Sequence, residues 1–218
     1  MAQLYEKYRP RRLQQVIGQP KVVGQIRALM QRRTWDRDAL WIEGPSGTGK
    51  TTIAEAVARE VGALTSSKEC WSYIEMDGDK CVVDEVRAMD AEAHAAGLFA
   101  DQWRVFVINE AHAMAPKAVQ AWLTLLERLP RRWLVIFTTT QSRGGLFGDF
   151  GGPFASRCKC FRLTNQALAP TFARFACRIA GREGYNGRPQ ADYLRLVKEC
   201  RNNMREVLQR IEQGELAE

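Results

Sequence analysis

The chain has 218 residues, 45% hydrophobic and 26% charged, which excludes disorder and lets one medium domain, or a larger one with a small appendage, bury its own core. The net charge of +7 points to a polyanionic partner or to a generally basic surface. The six cysteines (Cys70, Cys81, Cys158, Cys160, Cys177, Cys200) form no CxxC pair, and with only His94 and His112 beside them they support reduced thiols in a cytoplasmic setting rather than a zinc site or a disulfide framework.

Met1 to Arg12 is charged and lacks an apolar run, which reads against a secretory signal. Ala39-Leu40-Trp41-Ile42 is a strand-length apolar run. Thr51 to Val61 follows as a helix with Ile53, Ala54, Val57 and Val61 on one face. A strand is expected near Trp71–Met76 and a helix over Asp84–Gly97. Val105-Phe106-Val107-Ile108 is a continuous apolar run, as in a parallel strand covered on both faces. Pro116 to Leu129 reads as an amphipathic helix opened by its proline, and Trp133 to Phe137 as another buried strand. Gln141 to Pro153 is glycine-rich and aperiodic, and reads as a loop. From Thr164 onward the chain reads as helical, most clearly over Leu168–Gly181 and Ala191–Gln213. Every apolar stretch is strand-length, so no membrane span is expected.

Between the first strand and helix, Gly44-Pro45-Ser46-Gly47-Thr48-Gly49-Lys50-Thr51 fits G-x-x-x-x-G-K-[ST] in full. The glycines let successive backbone N–H groups turn inward toward phosphate oxygens, and the helix beginning there adds its positive end. Lys50 is expected to reach the β- and γ-phosphates and the Thr51 hydroxyl to ligate magnesium, with Thr52 a further binding candidate. ATP with Mg²⁺ is the ligand this pattern predicts. Val105 to Glu110 resembles a Walker B strand, whose usual ending is Asp-Glu. Glu110 is the candidate that orients the attacking water. Asn109 stands at the metal-holding Asp position and lacks its charge, so weaker Mg²⁺ binding or slower hydrolysis is expected.

Tyr5-Glu6-Lys7-Tyr8-Arg9-Pro10, followed by Val16-Ile17-Gly18-Gln19, resembles the opening of the clamp-loader AAA+ ATPases: replication factor C small subunits and the bacterial DNA polymerase III gamma/tau subunit. In that family the segment packs around adenine, which implies nucleotide-binding roles for Tyr8, Arg9, Pro10, Ile17 and Gly18. Ser156-Arg157-Cys158 resembles the family's SRC motif, implying that Arg157 is a finger on a neighbouring subunit's ATP. Asn203-Met204-Arg205 resembles the sensor-2 segment, implying that Arg205 reaches the γ-phosphate from the lid. Thr140 is the sensor-1 candidate, with Thr139 the alternative.

The resemblance implies an α/β AAA+ P-loop NTPase, with a parallel five-stranded sheet sandwiched by helices over 1–165 and a small all-helical lid over 166–218. It implies DNA, self-association or related AAA+ subunits through Arg157, and a sliding clamp or other ring-shaped client as partners. Lys117 and Arg143 are the DNA-contact candidates, against the plainer reading of exposed charge, which also applies to Arg128, Arg131 and Arg132. Phe147, Phe150 and Phe154 read more readily as loop anchors than as base-stacking groups. The chain stops at Glu218 without the family's C-terminal collar, so a collar-held pentamer is not implied. The leading expectation is an ATP-dependent, DNA-acting assembly factor, at work in the cytoplasm or on the nucleoid. The alternatives are a nucleotide-controlled binding module with weak hydrolysis, or a loader of another protein such as a helicase or transposase.

Overall fold

The computed structural model describes residues 3–64, 71–95, 102–141, 151–185 and 187–216. Short helix α1 (Leu4–Lys7) and helix α2 (Pro20–Met30) precede strand β1 (Asp38–Glu43) and helix α3 (Lys50–Glu60). Strand β2 (Tyr73–Asp77), helix α4 (Val83–Ala95), strand β3 (Arg104–Asn109), helix α5 (Pro116–Glu127) and strand β4 (Trp133–Thr139) follow. Helix α6 (Gly151–Arg157) leads into strand β5 (Lys159–Arg162), and helices α7 (Ala169–Glu183), α8 (Gln190–Glu199) and α9 (Met204–Glu212) complete the chain.

The strands form one parallel five-stranded sheet in the order β2-β3-β4-β1-β5. The continuous apolar runs take its centre, because a parallel strand covered on both faces needs apolar side chains on both. Alternation along the strands then splits the core. Leu40, Ile42, Val105, Val107, Leu134 and Ile136 face α2 and α3. Ala39, Trp41, Phe106, Ile108, Val135 and Phe137 face the other way, toward α4, α5 and α6. The edge strands β2 and β5 are only partly buried.

A third apolar cluster joins α7, α8 and α9. Leu4 of α1 belongs to it, and α1 packs on α9. Lys7 Nζ and the Tyr8 hydroxyl both donate to Glu183 of α7, the former at 2.7 Å. The N-terminal segment thus reaches the C-terminal helices.

The structure departs from the sequence reading in four places. The 141–153 stretch does not remain a loop to its end: residues 151–153 open α6, while 142–150 lie outside the described residues. Phe154 fixes that helix, 2% exposed and edge-on to Trp41 and Phe137, so it is a packing residue and not a base-stacking one. Ala191–Gln213 is two helices, because Arg201 and Asn202 both adopt positive φ, 50° and 63°. The Asn202 side chain fastens the break by donating to Asn165 O at 2.8 Å. Helix α2 and strand β5 had no counterpart in the sequence reading. No helix among the described residues is long and apolar enough to cross a membrane. Cys81, Cys158, Cys160, Cys177 and Cys200 are free thiols.

Candidate nucleotide site

Parallel strands bring their carboxyl ends to one edge, where open α/β sheets bind ligands. The register sets Glu43 beside Thr139 and Asn109 beside Asp77 at that edge. The phosphate loop leaves β1 here. Gly47 and Gly49 hold φ of 77° and 95°, which side chains resist, and Gly49 hands the chain directly into α3. Lys50 is 7% exposed and donates to its own loop's carbonyls, Gly44 O at 2.9 Å and Pro45 O at 3.0 Å. Burial lowers its pKa, opposed by the charge of Glu110. A buried cation held by carbonyl dipoles suits an incoming polyanion.

The loop forms one wall of a cleft of about 300 Å³. Of the sequence candidates, Tyr8, Arg9, Pro10, Ile17, Ser46, Gly47, Thr48, Gly49, Lys50, Thr51, Thr52, Glu110 and Arg205 line it together. Phe172, Phe175, Asn203 and Met204 close it from the helical side. The two sides meet closely: a Cβ on Gly47 would lie 2.9 Å from Asn203 Oδ1. Gly18 sits behind this wall with φ 79°, and a Cβ there would meet Leu168 and Phe172 at 2.9 Å. Arg205 lies over the Tyr5 ring, 5.5 Å from its centroid.

Asn109 meets the loop from β3. Its Oδ1 accepts from the Thr51 and Thr138 hydroxyls, each at 3.0 Å, and its Nδ2 donates to Glu75 Oε1 at 2.8 Å. Glu110 follows in the left-handed region, φ 48°. Its Oε2 accepts from Thr140 Oγ1 at 3.2 Å and lies 3.3 Å from His112 Nδ1. Thr139 is fully buried and reaches His112 instead, at 3.1 Å. Of the two sensor-1 candidates, Thr140 is therefore the one in contact with Glu110.

The donor set fits magnesium carried in with a nucleotide. The Thr51 hydroxyl and the Asn109 amide oxygen lie together, 3.0 Å apart, and would offer an incoming Mg²⁺ the hard oxygen donors it prefers. Among the described residues no cluster of three or more His, Cys, Asp or Glu is placed to cage a metal alone.

Two candidates lie away from the cleft. Arg157 folds onto its own subunit, donating through Nε to Glu127 at 3.1 Å and through Nη1 to Pro153 O at 2.8 Å. Lys117 opens α5 and lines a separate groove with Val83, Arg87 and Asp90 of the α4 region. Arg143 lies outside the described residues, as do Phe147 and Phe150. Motif reading missed Glu75 and Thr138, which touch Asn109 only because strand register brings them there, and His112, which the turn after β3 sets beside Glu110 two residues on.

The family model described as the ATPase family associated with various cellular activities (AAA) matches residues 40–147, from β1 past β4. The chain belongs to the AAA ATPase family. A model of the parvovirus non-structural protein NS1 also matches residues 13–66, which hold the phosphate loop. This AAA chain is 28% identical to a replication factor C small subunit of Haloarcula marismortui, over 73% of the chain and 46% of the relative. It is 30% identical to that of Archaeoglobus fulgidus (72% and 47%) and 26% identical to the DNA polymerase III subunit gamma/tau of Mycoplasma pneumoniae (80% and 28%). The AAA chain thus spans about half or less of these relatives' length. In fold it matches the RuvB Holliday junction branch migration motor of Thermotoga maritima, with a TM-score of 0.68 at 19% identity, covering 94% of this chain and 64% of that one.

Proposed function

We propose that the chain is an ATP-hydrolysing subunit of a clamp-loader-like assembly that acts on DNA, with each ATP site completed by a neighbouring chain. The observation that carries this is convergence: Lys50, Thr51, Glu110 and Arg205 line one cleft, while Arg157 lies outside it. In this reading the loop amides and Lys50 hold the β- and γ-phosphates. Glu110, fixed by Thr140, orients the attacking water. Arg205 meets the γ-phosphate when the helical part, 166–218, closes on 1–165. Thr51 and Asn109 would hold a magnesium ion brought in with the nucleotide, and that ion would supply charge neutralisation at the phosphates. Arg157 is free to leave Glu127 for a neighbour's γ-phosphate, which ties turnover to assembly. Lys117, with Arg143, supplies backbone contacts to DNA held by the assembled chains, and a sliding clamp or similar ring is the client.

The test is ATP turnover by the intact chain with and without primed DNA and a ring-shaped clamp. Stimulation is expected, with Glu110→Gln keeping ATP binding and losing turnover. A fully active Glu110→Gln protein, or turnover indifferent to both DNA and clamp, refutes the proposal. Asn109 favours a second reading, a nucleotide-controlled assembly module with little hydrolysis. A large rise in turnover on Asn109→Asp would identify that slow switch.

A further inference from the structure

Asn109 ends β3 at a point where a cation is better served by a carboxylate, and a carboxylate stands one hydrogen bond behind it. Glu75, on the neighbouring strand β2, accepts from Asn109 Nδ2 through Oε1 at 2.8 Å. Its other oxygen accepts from the hydroxyl of Tyr73 at 2.9 Å, and Tyr73 is 2% exposed. On the far side, the amide oxygen of Asn109 meets Thr51 and Thr138. An ionised carboxylate only accepts hydrogen bonds, so it can take the NH₂ end of the amide and not the oxygen. That settles the orientation. The reverse rotamer would set the amide oxygen against Glu75 and point N–H groups at the cation's place.

We propose that Glu75 is a positioning residue: it turns the Asn109 oxygen toward Thr51 and supplies, through the polarised amide, the negative charge that Asn109 lacks. This rests on the reading of the cleft as a magnesium–ATP site. The charge-assisted hydrogen bond is the stronger kind, and its pull on the N–H side leaves the amide oxygen a better ligand. Tyr73 in turn holds Glu75 in place. The Asn–Glu pair then does from two strands what a single Asp would do from one.

The test is a Mg²⁺ titration of the full chain with a fluorescent ATP analogue, read as equilibrium fluorescence rather than turnover. Glu75→Gln should raise the half-saturating Mg²⁺ concentration on the order of tenfold, as loss of an outer partner of a metal ligand does. Binding in EDTA should be unchanged. In an Asn109→Asp background the charge already sits at the metal, so the same Glu75→Gln change should cost less than about twofold, which is the coupling a double-mutant cycle reads. Equal losses in both backgrounds would mark a packing role and overturn the proposal, as would no loss in either. Should Glu75→Gln fail to fold, Tyr73→Phe loosens the same carboxylate, and a several-fold rise is expected; an unchanged Mg²⁺ curve there counts against the proposal. A wild-type chain that binds no analogue brings down the ATP reading, whereas one that binds it with no Glu75 effect brings down this inference alone.

Discussion

Glu110 holds a backbone conformation that non-glycine residues seldom adopt, φ 48° and ψ 47°, right after the last residue of β3. Such conformations cost on the order of 1–3 kcal/mol and persist only where surroundings enforce them. One enforcer is Gly78, beyond the end of β2, where a Cβ would lie 2.5 Å from the Glu110 carbonyl oxygen. Gly78→Ala must push that peptide away and carry the carboxylate with it. ATP binding, set by the loop on the other side of the cleft, should hold. Turnover should fall on the order of tenfold or more, since small misplacements at a reacting centre cost that much. Equilibrium binding beside steady-state turnover separates the two effects. Lys50 behaves oppositely. Burial lowers its pKa, so folding disfavours its charged form at every pH below the ordinary lysine value, and that penalty disappears only when the pH rises past it. Lys50→Met should therefore leave the melting temperature of the free chain unchanged or raise it. The further rise produced by ATP should vanish. A clear loss of stability in the free variant would contradict this account of Lys50.

The turn between α8 and α9 leads through Asn203, at the N-cap position, into the helix in which Arg205 stands. Arg201, at φ 50° and exposed, is its least suited residue. Arg201→Gly should stabilise the chain by about 0.5–1 kcal/mol, the usual gain when a strained left-handed position is given to glycine, offset by glycine's greater freedom when unfolded. A denaturation midpoint at or below wild type would show that the turn is not strained. This turn also shows where the sequence stops being legible. Ala191–Gln213 has helical spacing almost throughout, and the local hint of a break is the Asn202-Asn203 pair, because asparagine tolerates positive φ; the bond from Asn202 to Asn165 O, far off in sequence, joins local backbone bonds in holding it. Helix α6 depends likewise on Phe154 finding Trp41 and Phe137. Strand β5 is four residues, Lys159-Cys160-Phe161-Arg162, at a sheet edge, too short to stand out. Strands β1, β3 and β4 were plain because burial on both faces demands unbroken apolar runs. Helix α2 was legible in principle, with Pro20 at its start and Val22, Val23, Ile26 and Leu29 at helical spacing. In the site, Lys50, Thr51 and Glu110 announced themselves by motif. Glu75 and Thr138 did not, since their link to Asn109 exists only through strand register.

At the scale of the whole molecule, the cleft gathers binding groups from the N-terminal segment, the loop, β3 and the helical part, yet Arg157 belongs to none of these. Its bond to Glu127 sets it on the surface beside α5. If that arginine serves a neighbour, two separately dead chains should rescue one another. A chain with Arg157→Ala keeps its own cleft and cannot serve the next. One with Glu110→Gln has a dead cleft and can still serve. A contact in which one chain's finger enters the next chain's site joins two different surfaces, so mixed chains place intact clefts against intact fingers. With equal mixing, about one site in four should work: half of the chains have a live cleft, and half of those face a chain with a finger. Each variant alone should sit near background, and the mixture should recover a substantial part of wild-type turnover, rising with total protein concentration. A mixture no better than the average of its parts would show that Arg157 acts, if at all, within its own chain. Strong turnover by Arg157→Ala alone would remove it from the reaction.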